Sequence, residues 1–250
     1  PCTFAEALAR IEALVDARAG GAVFTPNVDH VVLAECHAPL RAAYQRASLS
    51  LADGMPLVWA APLFGGTLPE RVAGSDLFIP LMQLAARRRW RVYLLGAPNV
   101  AEAAGARLKR QYGVNIVGWD SPMIAADGSD ISGGSVERAR AAKPDLVVVC
   151  LGSPKQELWI TLAGDAFGPA VSIGLGAVLD FLVGTQRRAP RWIADAGFEW
   201  LHRLLHEPRR LWRRYLLQDP RFALIVLSGW WDARRSAANR RPPATEGGVR

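Results

Sequence analysis

The sequence has little cysteine and no long apolar run, and each shortage excludes a class of protein. Its three cysteines, Cys2, Cys36 and Cys150, are isolated along the chain. Their odd number and wide spacing fit neither a disulfide framework nor a structural zinc site, and favour a reducing cytoplasm. No segment approaches the roughly 20 apolar residues that cross a bilayer, and no signal peptide is recognisable. We therefore expect a cytoplasmic chain without a transmembrane helix.

Motifs for metal, nucleotide and nucleophile chemistry are also missing. The sequence has no Asp-x-Asp pair, and His202 and His206 share a basic helical segment with no carboxylate between them. It has no Gly-x-Ser-x-Gly elbow, and Gly152-Ser153-Pro154-Lys155 lacks the spaced glycine of a P-loop. Gly174-Leu175-Gly176 begins a dinucleotide fingerprint, but Leu179 stands where the third glycine belongs. The sequence thus predicts neither a metal site nor a cofactor.

Composition and charge indicate a folded domain with an anionic partner. Half of the 250 residues are hydrophobic, which is enough for a sizeable core in one domain with an appendage. The net charge is +7 and the isoelectric point is about 9.9. Such a basic chain is expected to bind nucleic acid, acidic lipid or a phosphorylated substrate.

Apolar runs alternate with helical patterns through the middle of the chain. The strands are predicted at 91–95, 115–118, 145–151 and 170–173, and the helices between and after them at 99–112, 135–142 and 177–183. A helix over 77–89 precedes them, with Ser75 or Asp76 as its N-cap. This alternation predicts an α/β fold, a mostly parallel sheet of Rossmann-like βα units covered by helices on both faces.

The composition changes after residue 186. Residues 187–235 are rich in arginine, and Pro208 and Pro220 interrupt their helical pattern. We divide the chain into an α/β core (1–186), a basic helical arm (187–235) and a disordered tail (236–250). Interleaved arginine and tryptophan suit either single-stranded nucleic acid or a membrane surface. The apolar content of the arm, and the prolines that separate its short helices, favour the membrane surface.

Short polar segments follow the predicted strands. Thr25-Pro26-Asn27 and Asp53-Gly54 each come after an apolar run and before a helical pattern. Because the carboxyl ends of parallel strands meet at one edge of the sheet, these segments are expected to converge on a crevice with Gly96, Gly152 and Gly174–Asp180. The alternative is that Asn27 and Asp53 are only turn and cap residues.

Eight segments, in order from about residue 20 to 217, resemble the WecG/TagA/CpsF glycosyltransferases (glycosyltransferase family 26). They are Thr25–Asn27, Ala52–Gly54, Arg71–Asp76, Leu94–Gly96, Gly152–Glu157, Gly174–Phe181, Arg188–Trp192 and Glu207–Tyr215. The resemblance implies an inverting hexosyltransferase that moves a sugar from a UDP-sugar to a polyprenyl-diphosphate-linked sugar in teichoic-acid or surface-polysaccharide synthesis. N-Acetylmannosamine, its uronic acid and glucose are all candidate sugars. The loop 119–134 and the tail 228–250 do not match the family.

An inverting transfer needs a base that takes the proton of the acceptor hydroxyl. Asp53 is the predicted base, and Thr25 and Asn27 are expected to orient sugar hydroxyls. The residues expected to bind the substrates are Gly54, Arg71, Asp76, Gly96, Gly152, Lys155, Gln156, Gly174, Gly176 and Asp180. For Asp76 the alternative is a helix cap, and for Asp180 a solvated helix residue.

The arm supplies the expected diphosphate contacts. Arg203, Arg210 and Arg213 are spaced by seven and three residues, which in a continuous helix returns them to nearly the same face. We expect this face to bind the diphosphate through charge-assisted hydrogen bonds, while tryptophan and leucine on the other face meet lipid.

The implied partners are a UDP-sugar donor, a lipid-linked diphosphate-sugar acceptor and an anionic membrane surface, without nucleic acid. The implied location is the inner face of the bacterial plasma membrane, and a homo-oligomer is one open option. Two other functions are considered. A nucleotide-dependent oxidoreductase is opposed by the missing third glycine, and a non-enzymatic module for anionic lipid or nucleic acid is favoured only if UDP fails to bind.

Overall fold

The computed structural model describes residues 1–186, 189–190, 193, 199–206 and 208–239. In chain order, the first half contains α1 (Phe4–Asp16), β1 (Gly21–Phe24), α2 (Val28–Cys36), α3 (Ala38–Arg46), β2 (Leu49–Ser50), α4 (Met55–Ala60) and α5 (Gly74–Arg88). A 3-10 turn, Ala61–Phe64, extends α4.

The second half of the core contains β3 (Arg91–Leu95), α6 (Val100–Tyr112), β4 (Asn115–Asp120), α7 (Ser135–Ala141), β5 (Leu146–Val149), α8 (Lys155–Ala163), a 3-10 turn (Gly164–Phe167), β6 (Val171–Gly174) and α9 (Val178–Val183). The described helices of the arm are α10 (Glu199–His206), α11 (Pro208–Arg213), a π-helical turn (Arg214–Gln218) and α12 (Arg221–Asn239).

The six strands form one sheet in the order β2-β1-β6-β5-β3-β4, and every neighbouring pair is parallel. Helices cover both faces, so the predicted α/β fold is confirmed. Strands β5 and β6 are buried at every position, as expected for inner strands covered on both sides.

Side chains that alternate along β3 divide the core into two layers. Val92 and Leu94 point into the layer that also contains residues of α1, α5, α6 and α9. Tyr93 and Leu95 point to the opposite layer, where Trp159 of α8 is buried. The two-residue repeat of a strand thus serves both faces of the sheet.

Strand order reverses at the centre of the sheet. From β3 the chain crosses to β4 at one edge, whereas from β5 it crosses to β6 in the opposite direction. The loops after β3 and β5 therefore diverge, which opens a crevice at the carboxyl ends of these neighbouring strands.

Helix α5 begins earlier than its sequence pattern predicts. The predicted span was 77–89 with Ser75 or Asp76 as N-cap, but the helix starts at Gly74 and its N-cap is Ala73, which offers no side-chain cap. Instead, the Gly74 N–H donates to Asp53 Oδ2 at 3.3 Å. The prediction of a local cap was wrong because the capping carboxylate comes from a distant loop.

The loop 119–134, which matched no family segment, folds back on itself. Ile124 and Asp130 form an antiparallel bridge, and Asp127 closes the turn by accepting from Ser129. We call residues 121–134 the hairpin. Its Gly128 lies against helix α8, where an added Cβ would stand 2.5 Å from Leu158 Cβ.

Helix α12 of the arm packs on the core. It contacts α2 and the 3-10 turn, and an added Cβ at Gly229 would lie 2.9 Å from the Phe64 ring. The helix continues to Asn239, past residue 236, where the sequence predicts the start of the tail; residues 240–250 lie outside the described part. None of the helices in the described ranges is both long and apolar enough to cross a membrane.

The contact between the hairpin and α8 predicts that Gly128→Ala destabilises the fold more than Gly133→Ala does. Both glycines have positive φ, +88° and +71°, so both substitutions strain the backbone by about 1–3 kcal/mol. Only at Gly128 does the new methyl group also collide with α8, which adds about 1–3 kcal/mol. Urea unfolding of the two variants measures the difference, and equal losses would contradict this packing.

Candidate active site

A crevice of about 450 Å³ opens at the carboxyl edge of the sheet. Loops that follow all six strands contribute to its wall, and α11 of the arm adds Leu211, which is only 4% exposed. Of the residues predicted for the site, those that line the crevice are Thr25, Asn27, Asp53, Gly96, Gly152, Gln156, Gly176 and Asp180. The convergence expected from the parallel sheet therefore takes place.

Asp53 is held in the crevice wall by two groups. One carboxylate oxygen accepts from the Gly74 N–H at the start of α5, and the other lies 3.8 Å from Arg71 Nη1. The positive end of the helix and the guanidinium both stabilise the ionised carboxylate. The Asp53 side chain is 27% exposed, so it stays open to a ligand.

Arg71 joins Asp53 to a second carboxylate. Its Nη2 donates to Asp76 Oδ2 at 3.0 Å, and its side chain is only 11% exposed. Neither Arg71 nor Asp76 is part of the crevice wall. Their geometry is that of a support behind Asp53, whereas the sequence predicts contacts with substrate.

Thr25 and Asn27 follow β1 and have one polar group each engaged by the protein. The Thr25 hydroxyl donates to the Gly174 carbonyl at 3.1 Å, which joins the loops after β1 and β6. Asn27 is the N-cap of α2, and its Oδ1 accepts from the His30 N–H at 3.2 Å. The cap that the sequence offered as an alternative for Asn27 is thus present, on a residue that also lines the crevice.

Gln156 and Glu157 form a buried polar link beneath the crevice. Gln156 Oε1 accepts from the Gly176 N–H, and its Nε2 donates to Glu157 Oε1, both at 2.9 Å. The Tyr44 hydroxyl lies 3.5 Å from the same Glu157 oxygen, at the limit of a hydrogen bond. These contacts fix the orientation of the Gln156 amide.

The Glu157 carboxyl is completely buried, and this burial raises its pKa, although the hydrogen bond from Gln156 acts in the opposite direction. Burial likewise raises the pKa of Tyr44. Both groups therefore favour their neutral forms. Sequence reasoning missed Glu157 because nothing in the local pattern distinguishes this buried carboxyl from a solvated helix residue.

Three further residues of the wall are His30, Asp180 and Cys150. His30 lines the crevice from the first turn of α2. Asp180 lines it too, and its Oδ1 accepts from the Thr185 hydroxyl at 3.0 Å. Cys150 also lines it, but burial raises the pKa of its thiol to about 12, so the thiol stays protonated at neutral pH.

Other predicted residues lie elsewhere. Gly174 lies behind Gln156, and Lys155 is exposed outside the crevice wall. Gly54 follows Asp53 but is not part of the crevice wall. Arg213 is exposed and lies over the Trp212 ring.

The side chains of Arg203 and Arg210 lie outside the described part of the chain. Among the described residues of the crevice wall there is no lysine or arginine. No three His, Cys, Asp or Glu side chains come together within the described ranges in a way that could hold a metal ion. A diphosphate in this crevice would have to be stabilised by backbone N–H groups, helix N-termini or residues beyond the wall.

Comparison with known proteins places these observations in a family. The sequence profile described as the glycosyl transferase WecG/TagA/CpsF family matches residues 1–236. An N-acetylglucosaminyldiphosphoundecaprenol N-acetyl-beta-D-mannosaminyltransferase of Bacillus spizizenii is 33% identical over 216 residues, covering 85% of this chain and 81% of the relative. The protein of the same name from Bacillus subtilis is 32% identical over 215 residues, with the same coverage.

Burial of Glu157 predicts a pH-dependent effect of Glu157→Gln on stability. The folded-state pKa is raised, so the unfolded state loses its proton first as pH increases above the ordinary value of about 4.5. The wild-type free energy of unfolding then falls with rising pH, up to the folded-state pKa. Gln156 can still donate to the new amide oxygen, so the variant should gain stability relative to wild type as pH rises.

Urea unfolding at pH 5 and about pH 8 tests this difference, with the exposed Glu102→Gln as the matched control. The control should show no comparable change between the two pH values. A stability difference for Glu157→Gln that is constant with pH would show that this carboxyl is ionised in the folded protein.

Proposed function

The chain belongs to the WecG/TagA/CpsF family of glycosyl transferases, and we propose that it transfers N-acetylmannosamine from a UDP-sugar to polyprenyl-diphosphate-linked N-acetylglucosamine. The names of the two Bacillus relatives support this choice of sugar and acceptor. The uronic acid of N-acetylmannosamine and glucose are the other sugars that the sequence left open. Either would need different polar contacts at the sugar ring.

The observation that carries the proposal is the position of Asp53. A general base must be ionised, held in place and within reach of the hydroxyl that it deprotonates. The contacts of Asp53 with the Gly74 N–H and Arg71, and its exposure to the crevice, support this role.

We propose the following single displacement. The Asp53 carboxylate takes the proton of the acceptor hydroxyl as that oxygen attacks C1 of the donor sugar. The new bond joins the acceptor oxygen to C1, and the bond from C1 to the diphosphate oxygen breaks on the opposite face. UDP leaves with the bonding electrons, and the configuration at C1 is inverted.

Two sources are proposed for stabilising the leaving diphosphate. Helices α6 and α8 begin at the crevice, beside Pro98 and Ser153, and their N-termini favour an anion. Arg203, Arg210 and Arg213 of the arm are the second source. Binding of the diphosphate by these arginines stays a prediction from the sequence. The absence of Lys and Arg from the described crevice wall supports it, because the diphosphate would otherwise have no cationic side chain beside it.

The remaining polar groups suit the sugars. Because the Thr25 proton is used by Gly174, its oxygen can accept a hydrogen bond from a sugar hydroxyl. Asn27 uses Oδ1 for its cap and can donate through Nδ2. The Asp180 carboxylate would repel a diphosphate, so we place it near hydroxyl groups.

The oxidoreductase alternative is not favoured. Leu179, which stands at the missing glycine of the fingerprint, is fully buried, and its Cδ1 would lie 3.1 Å from a Cβ added at Gly96. The residue belongs to the core layer between α9 and the sheet, and family membership makes the transferase the preferred function.

Asp53→Asn should lower turnover by about 10²-fold or more, since the amide cannot accept the hydroxyl proton. The Asn oxygen can still accept from the Gly74 N–H, so the start of α5 and the fold should survive. Turnover of the UDP-sugar with a lipid-linked acceptor measures the loss, and calorimetry checks that UDP still binds.

Asp76→Asn is the matched control, because Asp76 pairs with the same arginine but lies outside the crevice wall. It should lose far less activity than Asp53→Asn. If the two variants lose activity equally, or if well-folded Asp53→Asn turns over near the wild-type rate, Asp53 is not the base.

Metal chelation should leave turnover largely unchanged. The sequence has no Asp-x-Asp pair, and the described residues include no cluster of oxygen ligands of the kind that holds Mg²⁺ or Mn²⁺. Turnover with and without EDTA tests this. Loss of activity in EDTA that Mn²⁺ restores would contradict a metal-independent transfer.

A further inference from the structure

Helix α12 carries apolar residues on two opposite faces. Its partly buried residues Phe222, Ile225, Val226 and Gly229 recur at helical spacing, and the last of these meets the Phe64 ring of the core. Leu224, Leu227 and Trp231 recur at the spacing of the opposite face and are 66%, 59% and 54% exposed. One face therefore packs on the core, and the other presents large apolar side chains to the outside.

The core exposes a second apolar group beside this helix. Trp59, at the end of α4, is 61% exposed, and Leu63 and Phe64 of the 3-10 turn are 45% and 48% exposed. The turn is in direct contact with α12. We call these three core residues together with Leu224, Leu227 and Trp231 the apolar ridge. Exposed apolar residues from two contacting segments mark an interaction surface.

The charges next to the ridge indicate what covers it. Arg221 begins α12, and Arg234 and Arg235 lie near its end; all three are exposed. Arg234 lies 4.1 Å from the Trp230 ring centroid, and Arg235 lies 5.5 Å from that of Trp231. Exposed Asp232 is the acidic residue of this helix. Arginines that flank exposed tryptophan and leucine match a surface of anionic headgroups over acyl chains.

A second copy of the chain is the other candidate occupant, and charge disfavours it. A symmetric contact through the ridge would bring the arginines of two α12 helices close together, in a chain whose net charge is already +7. Like charges held together across an interface oppose association. An anionic lipid surface neutralises the same arginines.

The end of the ridge that Trp59 forms also lies close to the proposed base. Asp53-Gly54 leads directly into α4, whose six residues rise by about 9 Å to the exposed end that carries Trp59. A polyprenyl-linked acceptor has its diphosphate at the level of the headgroups, with the sugar beyond it. A membrane against the ridge would therefore leave only a short distance between that sugar and Asp53.

We propose that the core itself contacts the membrane: Trp59, Leu63 and Phe64 enter an anionic lipid surface beside the outer face of α12. This contact orients the mouth of the crevice toward the lipid-linked acceptor. The orienting role rests on the proposed transfer, whereas the lipid contact can be tested without any activity. The sequence places membrane binding in the arm alone.

The test is sedimentation of the full chain with vesicles of equimolar phosphatidylcholine and phosphatidylglycerol. The ridge variant Leu63→Asp/Phe64→Asp should reduce the partition coefficient by about tenfold or more, because two apolar anchors become anionic. The matched control is Ile131→Asp/Leu162→Asp, on the hairpin and α8. These residues are more exposed than Leu63 and Phe64, at 64% and 65%, and the control should bind like wild type apart from the same change in charge.

Two outcomes overturn the proposal. In the first, the ridge variant binds vesicles as well as the control does, so that only charge matters. In the second, ultracentrifugation shows a wild-type dimer that the ridge variant dissociates while vesicle binding persists, which makes the ridge an interface between copies. Thermal unfolding of each variant verifies that the compared proteins are folded.

A second measurement does not depend on the folding of the aspartate variant. Leu63→Cys is labelled with an environment-sensitive fluorophore in a Cys36→Ser background, since Cys36 is the exposed cysteine. Vesicles should shift the emission of the label to the blue, and an unchanged spectrum on bound protein overturns the proposal. Labelling at Leu162→Cys in the same background is the control.

Activity separates this proposal from the proposed function. On a short-chain, water-soluble acceptor, the ridge variant should turn over like wild type, whereas on a polyprenyl acceptor in vesicles it should be slower. If wild type has no transferase activity but the ridge variant still binds vesicles more weakly than the control, the proposed function is wrong and the proposed lipid contact is retained. If the ridge variant matches wild type on both acceptors, the orienting role fails.

Discussion

The hydrogen bond from the Gly74 amide to the Asp53 carboxylate connects the fold to the chemistry. It satisfies a donor that the first turn of α5 would otherwise leave open, and it fixes the carboxylate at the edge of the crevice. Arg71 completes the arrangement by binding Asp53 on one side and Asp76 on the other. The same contacts that begin a helix thus hold the proposed base in position. A cap and a catalytic role, which sequence reasoning set against each other, are compatible in one residue.

The division between charged and neutral carboxyls in the crevice has a simple physical origin. Asp53 has a helix N-terminus and a guanidinium beside it, which favour its negative charge. Glu157 is fully enclosed with Gln156 and Tyr44, and burial favours its neutral form. One group can therefore accept a proton from a substrate, while the other fixes an amide at the crevice wall. Environment, more than residue type, assigns these different tasks.

Much of this could be predicted from sequence because it depends on local pattern. Strand β3 occupies its predicted span, helix α6 begins within one residue of its own, and the polar segments after the strands do meet in one crevice. The misses have long-range causes. The start of α5 depends on Asp53, 21 residues earlier in the chain, and the burial of Glu157 depends on packing against Tyr44, 113 residues away. Contacts across such distances leave no periodicity in the sequence.

Helix α12 shows why the boundary between core and arm is not a physical separation. Its inner face covers α2 and the 3-10 turn, so removing it would expose apolar surface of the core. On its outer face, three large apolar side chains remain more than half exposed. Packing on the core therefore buries only one of the two apolar faces of this helix. The proposed lipid contact would cover a surface that is apolar at its centre and cationic at its ends.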